Sequence, residues 1–308
     1  MLGALVLVAA ATVAFLRWRL GARTERLSLE RLPLGPDGII EGAGAISRPG
    51  TGPRAVLLLH GFGDTPQTLI YLAEHLHAAG FRVHAPLLAG HGRTLREFSA
   101  TGATAWLEGA ERAYLALRRG HASVGIVGIS MGGALATLLA ARVAPPDALV
   151  LVAPYLSMRP RARQIAVAHW LITPIVRYLP TREEASIRDP VERARNRGFG
   201  TATARLLNEL RTVVDRASSA LRDVRVPTLM IQASEDNRID HAAASATFEA
   251  IGAEEKRVVW LEGSGHVITV DTGRERVLEL TAEWLLHHMG GGASSAPVAR
   301  LERETPVD

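Results

Sequence analysis

The 308-residue chain contains no cysteine. A disulfide framework, a thiolate metal site and a cysteine nucleophile are therefore excluded. Lysine is nearly absent too: Lys256 is the only one, so all but one of the 35 basic residues are arginine. Aromatic residues make up only 5%, and the net charge is only +4 although the sequence pI is near 10.0. A nucleic-acid binder gathers its basic residues on one face and interleaves aromatics that stack on bases. Here the arginines are dispersed, usually with Glu or Asp nearby, so nucleic acid is not an expected partner. What the chain does not lack is apolar surface. At 47% hydrophobic it is not a mainly disordered polypeptide.

The first segment, Leu2 to Leu16, carries no charge and is followed by Arg17, Trp18, Arg19, Arg23 and Arg26. About fifteen residues of helix reach about 22 Å, against about 30 Å for a hydrocarbon core. Trp18 and Leu20 extend the reach, and the first two arginines can snorkel to the headgroups. A cleaved signal peptide carries basic residues before its apolar run, whereas here they follow it. The order favours an uncleaved inner-membrane anchor through residues 2–20, with the main domain in the cytoplasm. Export and a soluble cytoplasmic form are the alternatives. The expected division is an apolar segment over 1–26, a folded domain over 27–289, and a Gly-, Ser- and Pro-rich tail over 290–308 that is disordered.

Residues 35–52 read as one or two short edge strands with turns. Ala55 to Leu59 is a short, fully apolar run, the pattern of a strand buried on both faces of a parallel sheet. A helical pattern over Pro66–Ala79 follows, then a strand over Phe81–Ala85. The unit repeats with a helix over Trp106–Leu117, a strand at Ser123–Val127, an Ala- and Leu-rich helix at Gly132–Val143 and a strand at Ala148–Val152. This alternation specifies an α/β fold: a mostly parallel sheet with helices on both faces. The rhythm breaks over about 155–222, which has arginine-rich helical stretches at Ile165–Tyr178 and Ala202–Val214 and is expected to form a helical cap inserted after the sixth strand. It resumes with strands at Thr228–Ile231 and Arg257–Leu261 and helices at Ala242–Ile251 and Arg274–His288.

Three places carry chemistry. Gly128-Ile129-Ser130-Met131-Gly132 lies between a strand and a helix. A serine hydroxyl is a weak nucleophile, and a tight strand-to-helix turn exposes it to a base. Small residues two before and two after let that turn close. His60-Gly61-Phe62-Gly63-Asp64 follows the first buried strand. The backbone N–H groups of Phe62 and Met131 are the expected donors to a tetrahedral oxyanion. His60 itself is expected to orient or pack rather than to act as a base. Finally, Gln232-Ala233-Ser234-Glu235-Asp236 and Gly263-Ser264-Gly265-His266 each follow a late strand, at the carboxyl ends where such sheets gather their sites. The order Ser130, Asp236, His266 suits a nucleophile, an acid that orients the imidazole, and a base. Glu235 and Asp240 are rivals for the acid, although Asp240 can instead cap the next helix. The remaining histidines, His75, His77, His121, His287 and His288 among them, are expected to be solvated or packed.

The blocks LLLHGFGDTP, APLLAGHG, VGISMGGALA, QASEDNRID and GSGHVITVD resemble the bacterial carboxylesterase and monoacylglycerol lipase branch of the α/β-hydrolase superfamily. The similarity runs from about Ala55 to Leu286 and is weakest in the cap. Most telling is the block in which Val267, Ile268, Thr269 and Asp271 follow the Gly-His pair. The resemblance implies the α/β-hydrolase fold, a triad of Ser130, Asp236 and His266, oxyanion donors at Phe62 and Met131, and a structural role for Gly90-His91-Gly92. It also implies cleavage of short- to medium-chain acyl esters or monoacylglycerols. Members of this branch are usually soluble, so the N-terminal apolar segment departs from the pattern.

No metal or organic cofactor is implied. Thioester hydrolysis, amide hydrolysis and acyl transfer remain alternatives, because the triad is indifferent to the leaving group. A non-catalytic, membrane-tethered binding module is the reading from another class. In the cap, Trp170, Leu171, Ile172 and Ile175 either line an acyl pocket or pack the cap on the sheet.

Overall fold

In the computed structural model, residues 1–181, 184–290 and 301–303 are described. The chain starts with a single long helix, α1 (Leu2–Arg31), whose apolar first half is exposed. A short edge strand, β1 (Ile46–Arg48), leads into β2 (Arg54–Leu59). A 3₁₀ turn at Pro66–Leu69 opens α2 (Ile70–Ala78), and β3 (Arg82–Ala85) follows. Two helices come next: α3 (Leu95–Ala100), held by a capping box between Thr94 and Glu97, and α4 (Ala103–Gly120). Then come β4 (Ser123–Ile129), α5 (Met131–Arg142) and β5 (Leu149–Val152).

The insertion starts here. It contains α6 (Pro160–Val167), one turn of α7 (His169–Ile172), a two-stranded ribbon of β6 (Leu179–Pro180) and β7 (Thr201–Ala202), α8 (Pro190–Arg195) and α9 (Ala204–Ala220). The sheet resumes with β8 (Thr228–Ala233), α10 (His241–Ala250), β9 (Lys256–Leu261) and α11 (Arg274–Met289). The tail expected to be disordered lies outside the described residues, except that β10 (Leu301–Arg303) runs parallel to β9.

The strand order is β1-β3-β2-β4-β5-β8-β9-β10, parallel throughout except for β1. Alternation along β2 explains why both faces must be covered. Ala55, Leu57 and Leu59 join one apolar core, and Val56 and Leu58 the other. Residues of α4, α5, α9 and α10 cover the first face, and residues of α2 and α11 the second. Helices on both faces and parallel crossovers match the expected class. One count differs, since the insertion follows the fifth strand rather than the sixth. Residues 35–52 supply a single strand, because the neighbouring extended piece makes only a bridge between Leu34 and Ile40. The polar groups there bond within the loop and to the chain at Gly92, with Gly35 N–H on the Ile39 carbonyl and Ile40 N–H on that of Gly92.

The helical stretch expected over Ile165–Tyr178 is broken: α6 ends at Val167, α7 runs only from His169 to Ile172, and Pro174, which cannot continue a helix, follows. The stretch expected over Ala202–Val214 is the longer α9, whose Leu206, Leu210 and Val214 belong to the main core. The part that projects over the site is therefore the chain before α9.

Candidate active site

The site lies at the carboxyl ends of β4, β8 and β9. Ser130 sits between β4 and α5 with φ 54° and ψ −120°, a left-handed conformation that is costly for a non-glycine residue. The surroundings enforce it. A Cβ on Gly128 would collide with the Gly132 carbonyl, and one on Gly132 with the Leu59 carbonyl, so the turn closes only with glycine at both positions. Ser130 N–H donates to Val152, and its own carbonyl accepts from Gly133, Ala134 and Tyr155, which fixes the residue from four sides.

The structure brings Ser130, Asp236 and His266 together. Ser130 Oγ lies 2.8 Å from His266 Nε2, and His266 Nδ1 lies 2.8 Å from Asp236 Oδ2. The Asp236 side chain is fully buried. Its Oδ1 accepts from the N–H groups of Arg238 and Ile239 at 2.7 and 3.0 Å, and Gln232 Nε2 donates to Oδ2 at 2.8 Å. Burial pushes this carboxyl up, but the His266 partner and the two N–H groups outweigh it and hold it below its ordinary value. Asp236 is thus an ionised acceptor, which fixes the proton of His266 on Nδ1 and leaves Nε2 free to accept from Ser130. The rivals are placed elsewhere. Asp240 accepts from Ala243 N–H at 2.8 Å and caps α10, and Glu235 pairs with Arg188 on the surface.

The loop after β2 runs alongside the serine, for a Cβ on Gly61 would sit 3.3 Å from Ser130 Cβ. Met131 N–H belongs to the first turn of α5, where amides lack an intrahelical acceptor, and Phe62 follows Gly61 in the adjacent loop. His60 is buried, with Nδ1 3.0 Å from the Gly61 carbonyl and Nε2 accepting from Leu88 N–H at 3.1 Å. Burial pushes its imidazole down to about 4, so at neutral pH it is a neutral bridge between two loops. His91 stands edge-on to His60 and Phe98, buried, in the Gly90-His91-Gly92 turn.

Two residues were not singled out for the site from the sequence. Asp271 is buried, and its carboxylate accepts from the backbone of Arg188 (3.0 Å), Asp189 (2.8 Å), Gly265 (2.7 Å) and Thr272 (2.9 Å). One side chain therefore joins the cap to the loop of His266. Val267 N–H on the Ser186 carbonyl, at 2.9 Å, adds a second joint. The signal available was its place in the GSGHVITVD block, which says nothing about partners. The second residue is Asp64, in the loop of Phe62. It accepts from Thr65 N–H at 2.9 Å and lies 3.4 Å from the Asn196 amide of the cap. Burial pushes its carboxyl up to about 6, with those donors and His266 opposing.

Three of the four expected acyl-pocket residues are a correction. Trp170, Leu171 and Ile175 are more than half exposed, so they neither line an internal pocket nor pack the cap on the sheet, whereas Ile172 is half-buried. An apolar pattern reports that a residue has a lipophilic face, not that the face points inward. Among the solvated-or-packed histidines, His121 and His288 are packed: His121 Nδ1 lies 3.0 Å from the Leu117 carbonyl, and His288 stands against Trp284.

Residues 52–273 match the family described as serine aminopeptidase, S33. The chain is 30% identical over 240 residues to a thermostable monoacylglycerol lipase from Bacillus sp. (strain H-257), covering 78% of this chain and 93% of that protein. It is 26% identical over 236 residues to a carboxylesterase of Bacillus subtilis (strain 168), covering 76% and 93%. Among solved structures, it superposes on one from a study of LipS and LipT, two metagenome-derived lipolytic enzymes, with a TM-score of 0.72, 28% identity, and coverage of 81% of this chain and 100% of that one. With that match, a parallel sheet covered on both faces and a serine at the strand-to-helix turn, the chain belongs to the serine aminopeptidase S33 family of α/β-hydrolases.

Proposed function

We propose that the protein is a serine hydrolase that cleaves short- to medium-chain carboxylic esters or monoacylglycerols through an acyl-serine intermediate. The observation that carries this is the unbroken hydrogen-bond chain Ser130–His266–Asp236, with both links at 2.8 Å. Ser130 Oγ attacks the ester carbonyl carbon while His266 Nε2 takes its proton. The imidazolium is stabilised by the ionised Asp236. The carbonyl oxygen becomes an oxyanion, held by the N–H groups of Phe62 and Met131 and favoured by the N-terminus of α5. Collapse of the intermediate expels the alkoxide, which receives the proton from His266. Water then attacks the acyl-serine, His266 takes its proton, and the carboxylic acid leaves with Ser130 restored. The lipase and esterase relatives support an ester as the substrate.

Amide hydrolysis is the second reading, favoured by the aminopeptidase description of the family. A panel of p-nitrophenyl esters, monoacylglycerols of graded length and aminoacyl arylamides separates the two. The expected order is esters well above arylamides, and the reverse order refutes the ester reading. A fluorophosphonate probe is expected to label the wild type and not Ser130→Ala. Labelling that survives the substitution removes Ser130 as the nucleophile, and no labelling of the wild type favours a non-catalytic binding module.

The same proposal takes α1 as an uncleaved membrane anchor, with the catalytic domain on the cytoplasmic side. An 18-residue window of α1 has a mean hydropathy of 1.6 and is wholly exposed. The second half of α1 supports retention over cleavage, because Arg17 and Arg31 bond to the domain. Export and a soluble form stay the alternatives. Resistance of the full chain to alkaline carbonate extraction tests the anchor.

A further inference from the structure

α1 is keyed to the cap along one side. Arg17 Nε donates to the Thr173 carbonyl at 2.9 Å. Gly21 is buried against the stem of Arg177, where a Cβ would strike Arg177 Cδ. Glu25 pairs with Arg177 at 2.7 Å and with Arg96 at 3.2 Å, and accepts from the Tyr178 hydroxyl at 2.7 Å. Farther along, Arg31 donates to the carbonyls of Gly198 and Phe199 at 2.7 and 2.8 Å. The second half of the helix thus lies on the domain, and the charge-free half runs off it.

The point of departure matters. The charge-free run ends at Arg17, and Arg17 is the residue bonded to Thr173, in the middle of the cap turn. The depth at which α1 leaves an apolar phase is therefore the depth of that turn. There the turn turns its lipophilic side chains outward: Trp170 is 66% exposed, Leu171 53% and Ile175 60%, and on α1 Trp18 is 61% exposed. Single exposed apolar residues need no explanation. A tryptophan and two aliphatics within six residues, level with a second tryptophan and the end of an apolar helix, form a band. Indole rings at a headgroup boundary, with arginines on the aqueous side, are what a bilayer surface accepts.

We propose that the cap turn around residues 167–176 is a bilayer-docking surface, seated at the headgroup–acyl boundary by its clasp on α1, with membrane lipid as its occupant. This rests on the reading of α1 as an anchor and goes beyond it. A tether alone leaves the domain free to tumble above the membrane, whereas the clasp holds the cap against it.

The absence of cysteine makes the test direct. Leu171→Cys and, as a control, Arg119→Cys are labelled with an environment-sensitive fluorophore in the full chain. Each is reconstituted into vesicles of phosphatidylcholine and phosphatidylglycerol. Arg119 is exposed at the end of α4 that leads into the start of β4, at the amino ends of the parallel strands and so opposite the site. Lipids brominated near the headgroup are expected to quench the label at 171 at least about threefold more than the label at 119. Removing the clasp with Arg17→Ala and Glu25→Ala together is expected to reduce that difference by at least half. Equal quenching at 171 and 119 in a chain that resists carbonate extraction refutes the docking and leaves the anchor standing. Release of the chain by carbonate refutes both. An undiminished difference without the clasp overturns the seating by α1.

Discussion

Asp271→Asn tests the joint between the cap and the site. Asp271 is 1% exposed, and its two oxygens take four backbone N–H groups, from Arg188, Asp189, Gly265 and Thr272. Asparagine has nearly the same shape but keeps one acceptor oxygen. With that oxygen toward Arg188, Asp189 and Thr272, the Gly265 N–H faces an amide group that cannot accept. One charge-assisted hydrogen bond, worth about 1.5–3 kcal/mol, is lost, and the others weaken to neutral bonds. A total of about 3 kcal/mol is expected, which lowers the melting temperature of a domain this size by about 6–12 °C. Gly265 precedes His266, so the imidazole also loses its fixed approach to Ser130. Small misplacements of reacting groups are costly, and kcat is expected to fall roughly 10- to 100-fold with KM little changed. Urea unfolding gives the stability change. Kinetics on a p-nitrophenyl ester, run well below the variant's melting temperature, give the split between kcat and KM. A stability loss under about 0.5 kcal/mol would defeat the hydrogen-bond reasoning. A full stability loss with unchanged kcat would make Asp271 a strut for the cap and nothing more.

Three further outcomes are expected. Asp236→Asn should lower kcat by about 10⁴-fold by removing the acceptor that sets the His266 tautomer, and near-wild-type turnover would reassign the acid. Asp240→Ala should cost about 1 kcal/mol of stability through the lost α10 cap, at unchanged kcat, and a large loss of turnover in folded protein would place Asp240 in the chemistry. For Asp64, burial raises the carboxyl to about 6 from an ordinary 3.8. Between about pH 4 and 6 the native chain holds a proton that the unfolded chain has released, so stability falls as pH rises through that window. Asp64→Asn should flatten this decline in denaturant titrations, and an unchanged slope would contradict the burial argument.

What was legible in the sequence was local. The apolar runs of β2, β4, β5 and β8 are short because strands buried on both faces need no alternation, and the glycines around Ser130 mark a turn that no side chain fits. Chain order then made the late acid and histidine readable at the ends of their strands. The choice among Glu235, Asp236 and Asp240 was of another kind. Three carboxylates within six residues look alike until the loop bends, and the bend points one inward to His266, one to Arg188 and one to the helix it caps.

Local pattern was enough for the layered α/β architecture, the tight turn at Ser130 and the order of Ser130, Asp236 and His266, because spacing, sterics and periodicity act over a few residues. Tertiary structure alone decided what depends on distant partners. It set the single edge strand contributed by residues 35–52, the coupling of cap to histidine loop through Asp271, and the burial that shifts Asp64. It also turned Trp170, Leu171 and Ile175 outward, level with the apolar end of α1. Burial and direction are properties of contacts between segments far apart in the chain, and a linear pattern does not record which segment arrives.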